Sequence, residues 1–325
     1  MPEHTRKTKL SAIVPCYNEQ DNVELFYETF CGVFDDTEFD YQLVFIDDGS
    51  YDQTPLRLKK IAQSFPHVRV VSFSRNFGKE AAVWAGLNNA DGDYVAIIDA
   101  DLQQQPQDLL NMARILEQDE SYDVVAAYQK ERRENPAVAF LKGCFYKIMD
   151  SMTTTPLVNN ASDFRVFRRI VADAILSLPE YHRFSKGIFS WIGFNTYAYP
   201  YVPSERYSGE SKWSFFKLVR YAVEGLLSFS TSPLRWATYL GSVTSVASFI
   251  YLAVVLVQKL CFDVDVPGYP TLVCLILLLG GIQLLVLGIF GEYMGRMYVQ
   301  GKNRPIYIEA HRYESSDQKP DTENA

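Results

Sequence analysis

The chain has 325 residues, a net charge of −8 at pH 7 and a pI near 5.2. This length accommodates one large α/β domain together with a smaller second unit. The acidic balance argues against a nucleic-acid-binding protein, because such proteins carry a surplus of positive charge. The five cysteines are irregularly spaced and form no C-x-x-C pair, so we expect them to be reduced in a cytosol-like compartment. No long apolar run precedes the first predicted strand, so we predict no signal peptide.

Short apolar runs alternate with helical stretches from residue 10 onward. This alternation predicts a parallel sheet that is covered by helices on both faces. The final polar stretch, residues 314–325, is predicted to be disordered. The predicted strands are residues 10–14, 42–46, 68–73, 94–98 and 123–127, and the predicted helices are residues 21–34, 56–64, 79–89 and 106–118.

The strand at residues 94–98 runs directly into two aspartates, Asp99 and Asp101. A buried parallel strand presents the residues that follow it at the carboxyl edge of the sheet, where α/β proteins bind ligands. Asp101 and the nearby Gln103 offer hard oxygen ligands, and a divalent cation held by them can bridge a diphosphate. Two other Asp-x-Asp pairs, at residues 91–93 and 263–265, do not end such a strand. A solvated acidic turn is the alternative interpretation of the Asp99 pair.

The other predicted strands also end in polar or aromatic side chains. Because neighbouring parallel strands end at the same edge, one crevice would collect an aromatic ring, carboxylates and cations. This combination suits a nucleotide, with the ring near the base, a carboxylate on the base or ribose, and a cation on the phosphates. Taken singly, each residue is compatible with an ordinary turn or a solvated helix start. The residues concerned are Tyr17, Asp48, Arg75 and Lys79.

Two later segments, residues 236–258 and 270–291, contain no charged residue. Each is long enough to cross a hydrocarbon core, which takes ~20 residues, so we predict two membrane-spanning helices. Arg235 precedes the first segment, and Arg296 and two further basic residues follow the second. The positive-inside rule therefore places both flanks and the N-terminal domain in the cytoplasm.

Residues 213–230 show the pattern of an amphipathic helix, with Lys217, Arg220 and Glu224 on one face and apolar residues on the other. Such a helix just before a membrane span suits the membrane interface, and packing on the protein's own sheet is the alternative. Either arrangement places the loop at residues 206–212 close to the lipid headgroups.

Several motifs, taken together and in order, resemble those of the inverting glycosyltransferases of family 2. They resemble in particular the branch that contains dolichyl-phosphate mannose synthase and the bacterial polyprenyl-phosphate glycosyltransferases. The resemblance covers nearly the whole chain. The motifs are VPCYNE at residues 14–19, DDGS at 47–50, SRNFGKE at 74–80, DADLQ at 99–103, DFR at 163–165, ERYSGESKW at 205–213 and GEYMGR at 291–296.

This resemblance implies a GT-A (Rossmann-like) catalytic domain followed by an amphipathic interface helix and two transmembrane helices. The implied bounds are residues 1–212 for the cytoplasmic catalytic domain, 213–230 for the interface helix, 231–295 for the membrane anchor and 296–325 for a cytoplasmic tail.

The resemblance also implies a nucleotide-sugar donor, a Mg²⁺ or Mn²⁺ ion and a polyprenyl phosphate acceptor. Family members often have Asp-Pro-Pro-Glu where this chain has Gln104-Gln105-Pro106-Gln107, so two acidic residues beside the metal are missing. Carried over by position, the catalytic residues are Asp101 and Asp163, the metal ligands are Asp101 and Gln103, the donor-binding residues are Pro15, Tyr17, Glu19, Asp48, Arg75, Lys79 and Asp99, and the acceptor-binding residues are Arg165, Arg206, Ser211 and Lys212.

The implied activity is inverting transfer of one sugar to undecaprenyl phosphate at the cytoplasmic face of a bacterial inner membrane. The product would be a lipid-linked monosaccharide for cell-envelope glycosylation. We expect UDP-glucose or UDP-N-acetylglucosamine as the donor, with mannose or a modified pentose as alternative sugars. The sequence leaves a homo-oligomer open.

Two other functions compete with this interpretation. A processive polysaccharide synthase usually has more membrane spans and a Gln-x-x-Arg-Trp motif, whereas Ser232 stands at the glutamine position before Arg235-Trp236. A non-catalytic nucleotide-sugar-binding scaffold would bind the donor without turnover, and the intact metal ligands argue against it.

Overall fold

The computed structural model describes residues 7–129, 161–204, 232–262 and 268–315. Its strands are β1 (Lys9–Cys16), β2 (Asp40–Asp47), β3 (Val68–Phe73), β4 (Tyr94–Ile97), β5 (Val124–Gln129), β6 (Ala161–Arg168), β7 (Thr196–Tyr201) and β8 (Glu309–Glu314). They form one sheet in the order β7-β5-β6-β4-β1-β2-β3-β8. Its helices are α1 (Val23–Phe34), α2 (Thr54–Ser64), α3 (Lys79–Asn89), α4 (Pro106–Gln118), α5 (Arg169–Leu176), α6 (Ser185–Trp191), α7 (Ser232–Phe262) and α8 (Tyr269–Gly301).

The centre of the sheet is parallel, as predicted: β1 pairs in parallel with β2 and β4, and β2 pairs in parallel with β3. Side chains alternate across each strand, so Leu43 and Phe45 enter the core on the α1 and α4 side of the sheet, whereas Val44 and Ile46 enter the core on the α3 and α5 side. Burial on both faces explains why these strands are continuous apolar runs. The predicted alternation of strands and helices is confirmed.

The sheet is nevertheless mixed, which corrects the expectation of a parallel sheet. Strand β6 runs antiparallel between β4 and β5, and β8 runs antiparallel along the edge strand β3. Glu314, which the sequence assigned to a polar tail, ends β8 and forms an ion pair with Arg69. A strand's own residues set its periodicity but not the strand beside which it pairs, so local patterns did not reveal either arrangement.

Helices α7 and α8 contain the two predicted membrane spans. Within them, Ser232–Val255 and Leu275–Gly301 are long and apolar enough to cross a membrane, and neither is buried inside the protein. The predicted amphipathic helix at residues 213–230 lies outside the described residues.

Candidate active site

The loops that follow β2 and β3 are joined by a carboxylate. The buried side chain of Asp48 accepts hydrogen bonds through Oδ1 from the backbone N–H of Phe77 (2.6 Å) and through Oδ2 from that of Gly78 (2.9 Å). Burial raises the pKa of Asp48, and these two backbone N–H groups oppose that shift. Asp48 therefore holds the loop at residues 75–78, which carries Arg75, at the carboxyl edge of the sheet.

Gly49 allows these two loops to approach each other closely. Its φ of +66° lies in the left-handed region, and a Cβ at this position would be 2.3 Å from the backbone carbon of Arg75. Only glycine fits such a contact without displacing the neighbouring backbone. Arg75 itself is exposed, and its guanidinium lies 4.6 Å from the ring centroid of Phe77.

The loop after β1 presents an aromatic ring beside the same crevice. Asn18 has a φ of +56°, accepts a hydrogen bond from the N–H of Tyr51 at 3.1 Å, and donates its own N–H to the Ser50 hydroxyl at 2.9 Å. Tyr17 is 43% exposed and meets the Tyr51 ring edge-on, with ring centroids 6.1 Å apart. The Tyr17 ring is thus available to a planar ligand group such as a nucleotide base.

Two other predicted donor residues support this loop. Pro15 is a half-buried residue of β1. The carboxylate of Glu19 accepts a hydrogen bond from the side-chain amide of Asn22 at 2.5 Å, and the backbone N–H of Glu19 donates to the Thr54 hydroxyl at 2.9 Å. Both residues lie where the sequence placed them, at the end of β1.

Lys79 forms ion pairs with two carboxylates that the sequence predicted as site residues, Asp99 and Asp163. Its Nζ lies 2.6 Å from Oδ1 of Asp99 and 3.6 Å from Oδ2 of Asp163, although the three residues come from α3, the end of β4 and β6. Burial by itself would lower the pKa of Lys79, but the attraction of the two carboxylates raises it well above its ordinary value. Burial likewise opposes the charge of Asp163, yet the nearby cations, Lys79 foremost, lower its pKa. Lys79 is therefore a cation and Asp163 a carboxylate at neutral pH.

The segment after β4 turns sharply at Leu102, whose φ is +57°. In this turn the backbone N–H of Gln103 donates to Oδ1 of Asp101 at 3.2 Å. Gln104 fixes the preceding aspartate, since its side-chain oxygen accepts the N–H of Asp99 at 2.9 Å and its Nε2 donates to Oδ2 of Asp99 at 3.2 Å. Sequence reasoning noted Gln104 only as a departure from the family, and its two contacts show that it orients Asp99.

The donor set of this turn fits a hard divalent cation. Mg²⁺ is commonly held by one or two carboxylates together with waters and substrate phosphates, not by a complete protein cage. Asp101 and Gln103 provide a carboxylate and an amide oxygen at the crevice. Within the described ranges no group of three or more His, Cys, Asp or Glu side chains is arranged to hold a metal ion. Such a site would leave the remaining coordination positions of the ion to waters and substrate phosphates.

Arg165, a predicted acceptor-binding residue, makes its described contacts within the protein. Its guanidinium is buried, donates to the backbone oxygen of Ser162 at 2.9 Å and lies 3.8 Å from the ring centroid of Phe189. Burial lowers the pKa of Arg165 to about 10, and Asp163 and Glu80 oppose that shift. Lys79 forms an ion pair with Asp163, and a contact of Arg165 with the acceptor phosphate stays a prediction. The other predicted acceptor residues, Arg206, Ser211 and Lys212, lie outside the described residues.

Sequence reasoning missed Glu80. Its carboxylate accepts hydrogen bonds from the backbone N–H of Ser185 (3.1 Å to Oε1 and 3.0 Å to Oε2) and from the Ser185 hydroxyl. Burial raises the pKa of Glu80, and the hydrogen bonds from Ser185 oppose this shift. The available signal was an acidic residue in the first turn of a helix directly after a candidate ligand, Lys79.

Family comparisons agree with this geometry. The model of Glycosyl transferase family 2 matches residues 11–176, and that of the GtrB C-terminal hairpin matches residues 232–297. The chain belongs to glycosyltransferase family 2. The family 2 match spans all of the sheet-edge loops described above, and the α/β sheet that carries them has the GT-A-like fold predicted from the sequence. The hairpin match covers most of α7 and α8, the two apolar helices.

Sequence similarity to two relatives covers nearly the whole of this family 2 protein. The SfII prophage-derived bactoprenol glucosyl transferase of Shigella flexneri is 40% identical over 92% of this chain and 97% of its own. The putative glycosyltransferase CsbB of Bacillus subtilis is 40% identical over 92% of this chain and 90% of its own. Glucosyl-3-phosphoglycerate synthase of Mycobacterium tuberculosis, solved with Mn²⁺, UDP and phosphoglyceric acid, aligns with a TM-score of 0.49 and 22% identity over 68% of this chain and 78% of that one. A structural likeness of that size assigns no ligand to this chain.

Proposed function

We propose that the protein transfers glucose from UDP-glucose to a polyprenyl phosphate, such as undecaprenyl phosphate, with inversion at the anomeric carbon. The observation that carries this proposal is the Lys79 cation between Asp99 and Asp163, at the edge of the crevice in a family 2 chain. Glucose is favoured over N-acetylglucosamine because relatives at 40% identity are named bactoprenol glucosyl transferases. Their names also favour a polyprenyl phosphate acceptor.

The donor would lie across the carboxyl edge of the sheet, with Tyr17 beside the base and Arg75 beside the phosphates. In the transfer, the bond from the anomeric carbon to the diphosphate breaks while an acceptor phosphate oxygen bonds to that carbon from the opposite face. Positive charge develops on the sugar ring, as in glycoside hydrolysis, and the ionised Asp163 stabilises it electrostatically. Asp101 and Gln103 would hold a Mg²⁺ or Mn²⁺ ion, which neutralises charge on the diphosphate.

The acceptor needs no strong general base in this scheme. The second pKa of a phosphate monoester is about 6, so a lipid phosphate is largely dianionic near pH 7. We assign to Asp163 an electrostatic and orienting role, and the attacking oxygen brings its own charge.

We also propose that α7 and α8 cross the cytoplasmic membrane and that the catalytic domain, residues 1–212, lies in the cytoplasm. The predicted interface helix, residues 213–230, would lie at the headgroup layer, and residues 231–295 would form the anchor. The region at 296–325 is proposed to be cytoplasmic, and its strand β8 joins the catalytic sheet.

The test is incubation of membranes that contain the protein with undecaprenyl phosphate and, in parallel, labelled UDP-glucose, UDP-N-acetylglucosamine or GDP-mannose. We expect label in the lipid extract with UDP-glucose, in a product that carries a single sugar. Label in an insoluble polymer would indicate a processive synthase. Binding of UDP-sugar without any transfer would indicate a scaffold, and either result would contradict the proposal.

A further inference from the structure

We infer that the end of α8 and the segment that follows it, residues 302–314, position the active-site loops. In this inference, which rests on the proposed function, Gln300 is a positioning residue for sugar transfer. Gln300 lies in the last turn of α8, which ends at Gly301. Its side-chain oxygen accepts the backbone N–H of Tyr181 at 2.8 Å, and its Nε2 donates to the backbone oxygen of Pro179 at 2.9 Å. One side-chain amide thus pairs with a backbone N–H and a backbone carbonyl of the same loop in the catalytic domain.

The same loop continues to the active site. Four residues after Tyr181, Ser185 bonds the carboxylate of Glu80 through its backbone N–H and its hydroxyl. Glu80 directly follows Lys79, the cation that pairs with Asp99 and Asp163. Residues 179–185 are therefore tied at one end to an apolar helix and at the other to the first turn of α3.

Arg183 stiffens the loop between these two attachments. Its guanidinium lies 4.0 Å from the ring centroid of Trp84 on α3 and donates to the backbone oxygen of Leu178 at 2.7 Å. A displacement of the loop at Tyr181 would consequently be passed on to Ser185 and not be absorbed between the two.

A second attachment joins the segment after α8 to the start of the loop at residues 75–78. The ring of Tyr307 stacks on Phe73 with centroids 4.7 Å apart, and the N–H of Ser74 donates to the oxygen of Ile308 at 3.0 Å. Phe73 and Ser74 immediately precede the loop at residues 75–78. Strand β8 then pairs with β3 and anchors this segment to the sheet.

The two attachments flank one cavity of about 300 Å³, whose lining includes Arg75, Glu80, Arg183 and Ile306. The stretch from Ser74 to Glu80 is therefore contacted at its start by Ile308, which follows α8, and at its end by Ser185, in the loop that Gln300 holds. Through the loop at residues 179–185, the end of α8 supports Glu80 and, with it, the neighbouring Lys79. Loss of the Gln300 contacts should let the loop at residues 179–185 move, while Asp48 still holds the loop at residues 75–78.

For Gln300→Ala we expect kcat to fall about tenfold, because Glu80 and Lys79 lose their support at the reacting groups. The KM for UDP-glucose should change by less than about twofold, since the Asp48-held loop is untouched. Met297→Ala, one turn earlier on the same helix face and 66% exposed, is the matched control and should behave as wild type.

Two further measurements separate positioning from a general loss of structure. Ser185→Ala removes a contact in the same chain of contacts. The double variant Gln300→Ala/Ser185→Ala should therefore lose less kcat than the two single variants would together if their effects were independent. Hydrogen exchange of the Tyr181 and Ser185 amides should be faster in Gln300→Ala, while exchange in β1 and β2 stays the same.

Additive losses, or unchanged exchange at Ser185, would overturn the inference, as would a kcat within twofold of wild type. If wild-type protein transfers no sugar to undecaprenyl phosphate, the proposed function fails. The exchange at Ser185 then decides the positioning role by itself, because that measurement needs no acceptor.

Discussion

Lys79 and Asp99 form an ion pair with 2.6 Å between Nζ and Oδ1, which joins the start of α3 to the end of β4 at the carboxyl edge of the sheet. A second ion pair of the same length, between Lys9 and Asp91, lies at the opposite edge, where β1 begins and the chain approaches β4. The first pair has Asp163 within 3.6 Å of its nitrogen, and the second lies away from the crevice. The two pairs therefore form a matched test of location.

Replacing the cation in each pair should have opposite outcomes. Lys79→Gln removes the ammonium group that pairs with both Asp99 and Asp163, and removal of one such electrostatic group from an active site typically costs about 10²–10³-fold in rate. We expect a loss of this size in kcat/KM for sugar transfer, whereas Lys9→Gln should stay within about twofold of wild type because the Lys9–Asp91 pair lies away from the crevice. Steady-state kinetics with UDP-glucose and undecaprenyl phosphate provide the measurement. Equal effects of the two substitutions would contradict the assignment of Lys79.

A methyl group at Gly49 should disrupt donor binding. The new Cβ would lie 2.3 Å from the Arg75 backbone carbon, so the loop at residues 75–78 must move. We expect Gly49→Ala to weaken UDP binding at least about tenfold, as measured by isothermal titration calorimetry, because a clash at a left-handed position costs more than a kilocalorie. Gly32→Ala is the control, since its Cβ meets nothing within 4 Å and alanine favours the α1 helix. UDP affinity that survives Gly49→Ala would mean that this loop does not hold the donor.

Substitution of Asp101 should abolish metal-dependent transfer. Asp101→Asn removes the charged ligand that we assign to the cation, so at saturating Mg²⁺ or Mn²⁺ we expect a rate loss of more than about 100-fold. Chelation of the wild-type protein with EDTA should stop transfer, and added Mg²⁺ or Mn²⁺ should restore it. Asp91→Asn alters the control Asp-x-Asp pair and should retain activity, with circular dichroism confirming that both variants fold. Full activity of Asp101→Asn would remove Asp101 from the metal site.

The pH dependence should report the acceptor and not Asp163. Because the cations around Asp163 lower its pKa, this carboxyl stays ionised as the pH falls through the range in which a lipid phosphate gains a proton, at about 6. We expect Asp163→Asn to lower the rate while the acid limb of the pH–rate profile keeps its midpoint. Both profiles are measured with saturating acceptor, after single-turnover kinetics show that chemistry limits the rate. An acid limb that disappears in Asp163→Asn would identify Asp163 as the titrating base.

Membrane orientation can be read by cysteine labelling. Positive charges flank both apolar helices at their domain side, so the residues between α7 and α8 should face away from the cytoplasm. With the native cysteines replaced, Asp265→Cys should react with an impermeant maleimide added to intact cells, and Ser50→Cys should not. The reverse pattern would invert the proposed topology.

Local sequence patterns were enough to predict the segments whose structure depends on their own composition. Short apolar runs predicted β1 to β5, the helical stretches between them predicted α1 to α4, and the residues after each strand predicted which side chains reach the crevice. Uninterrupted apolar length predicted α7 and α8. These features are readable because burial imposes a period on each segment independently of its neighbours.

Which of these side chains meet depends on how distant segments of the chain pack together. Lys79 pairs with Asp99, 20 residues away, because β4 lies beside β1 and β6 beside β4. Asp48 was predicted to contact a nucleotide. Both of its carboxylate oxygens accept hydrogen bonds from backbone N–H groups of the next loop. No local sequence pattern indicates a role for Gln300, because its hydrogen-bond partners belong to a loop about 120 residues earlier in the chain. Partners of this kind depend on the strand order and on the path of the chain after α8, and neither is encoded in the residues that make the contact.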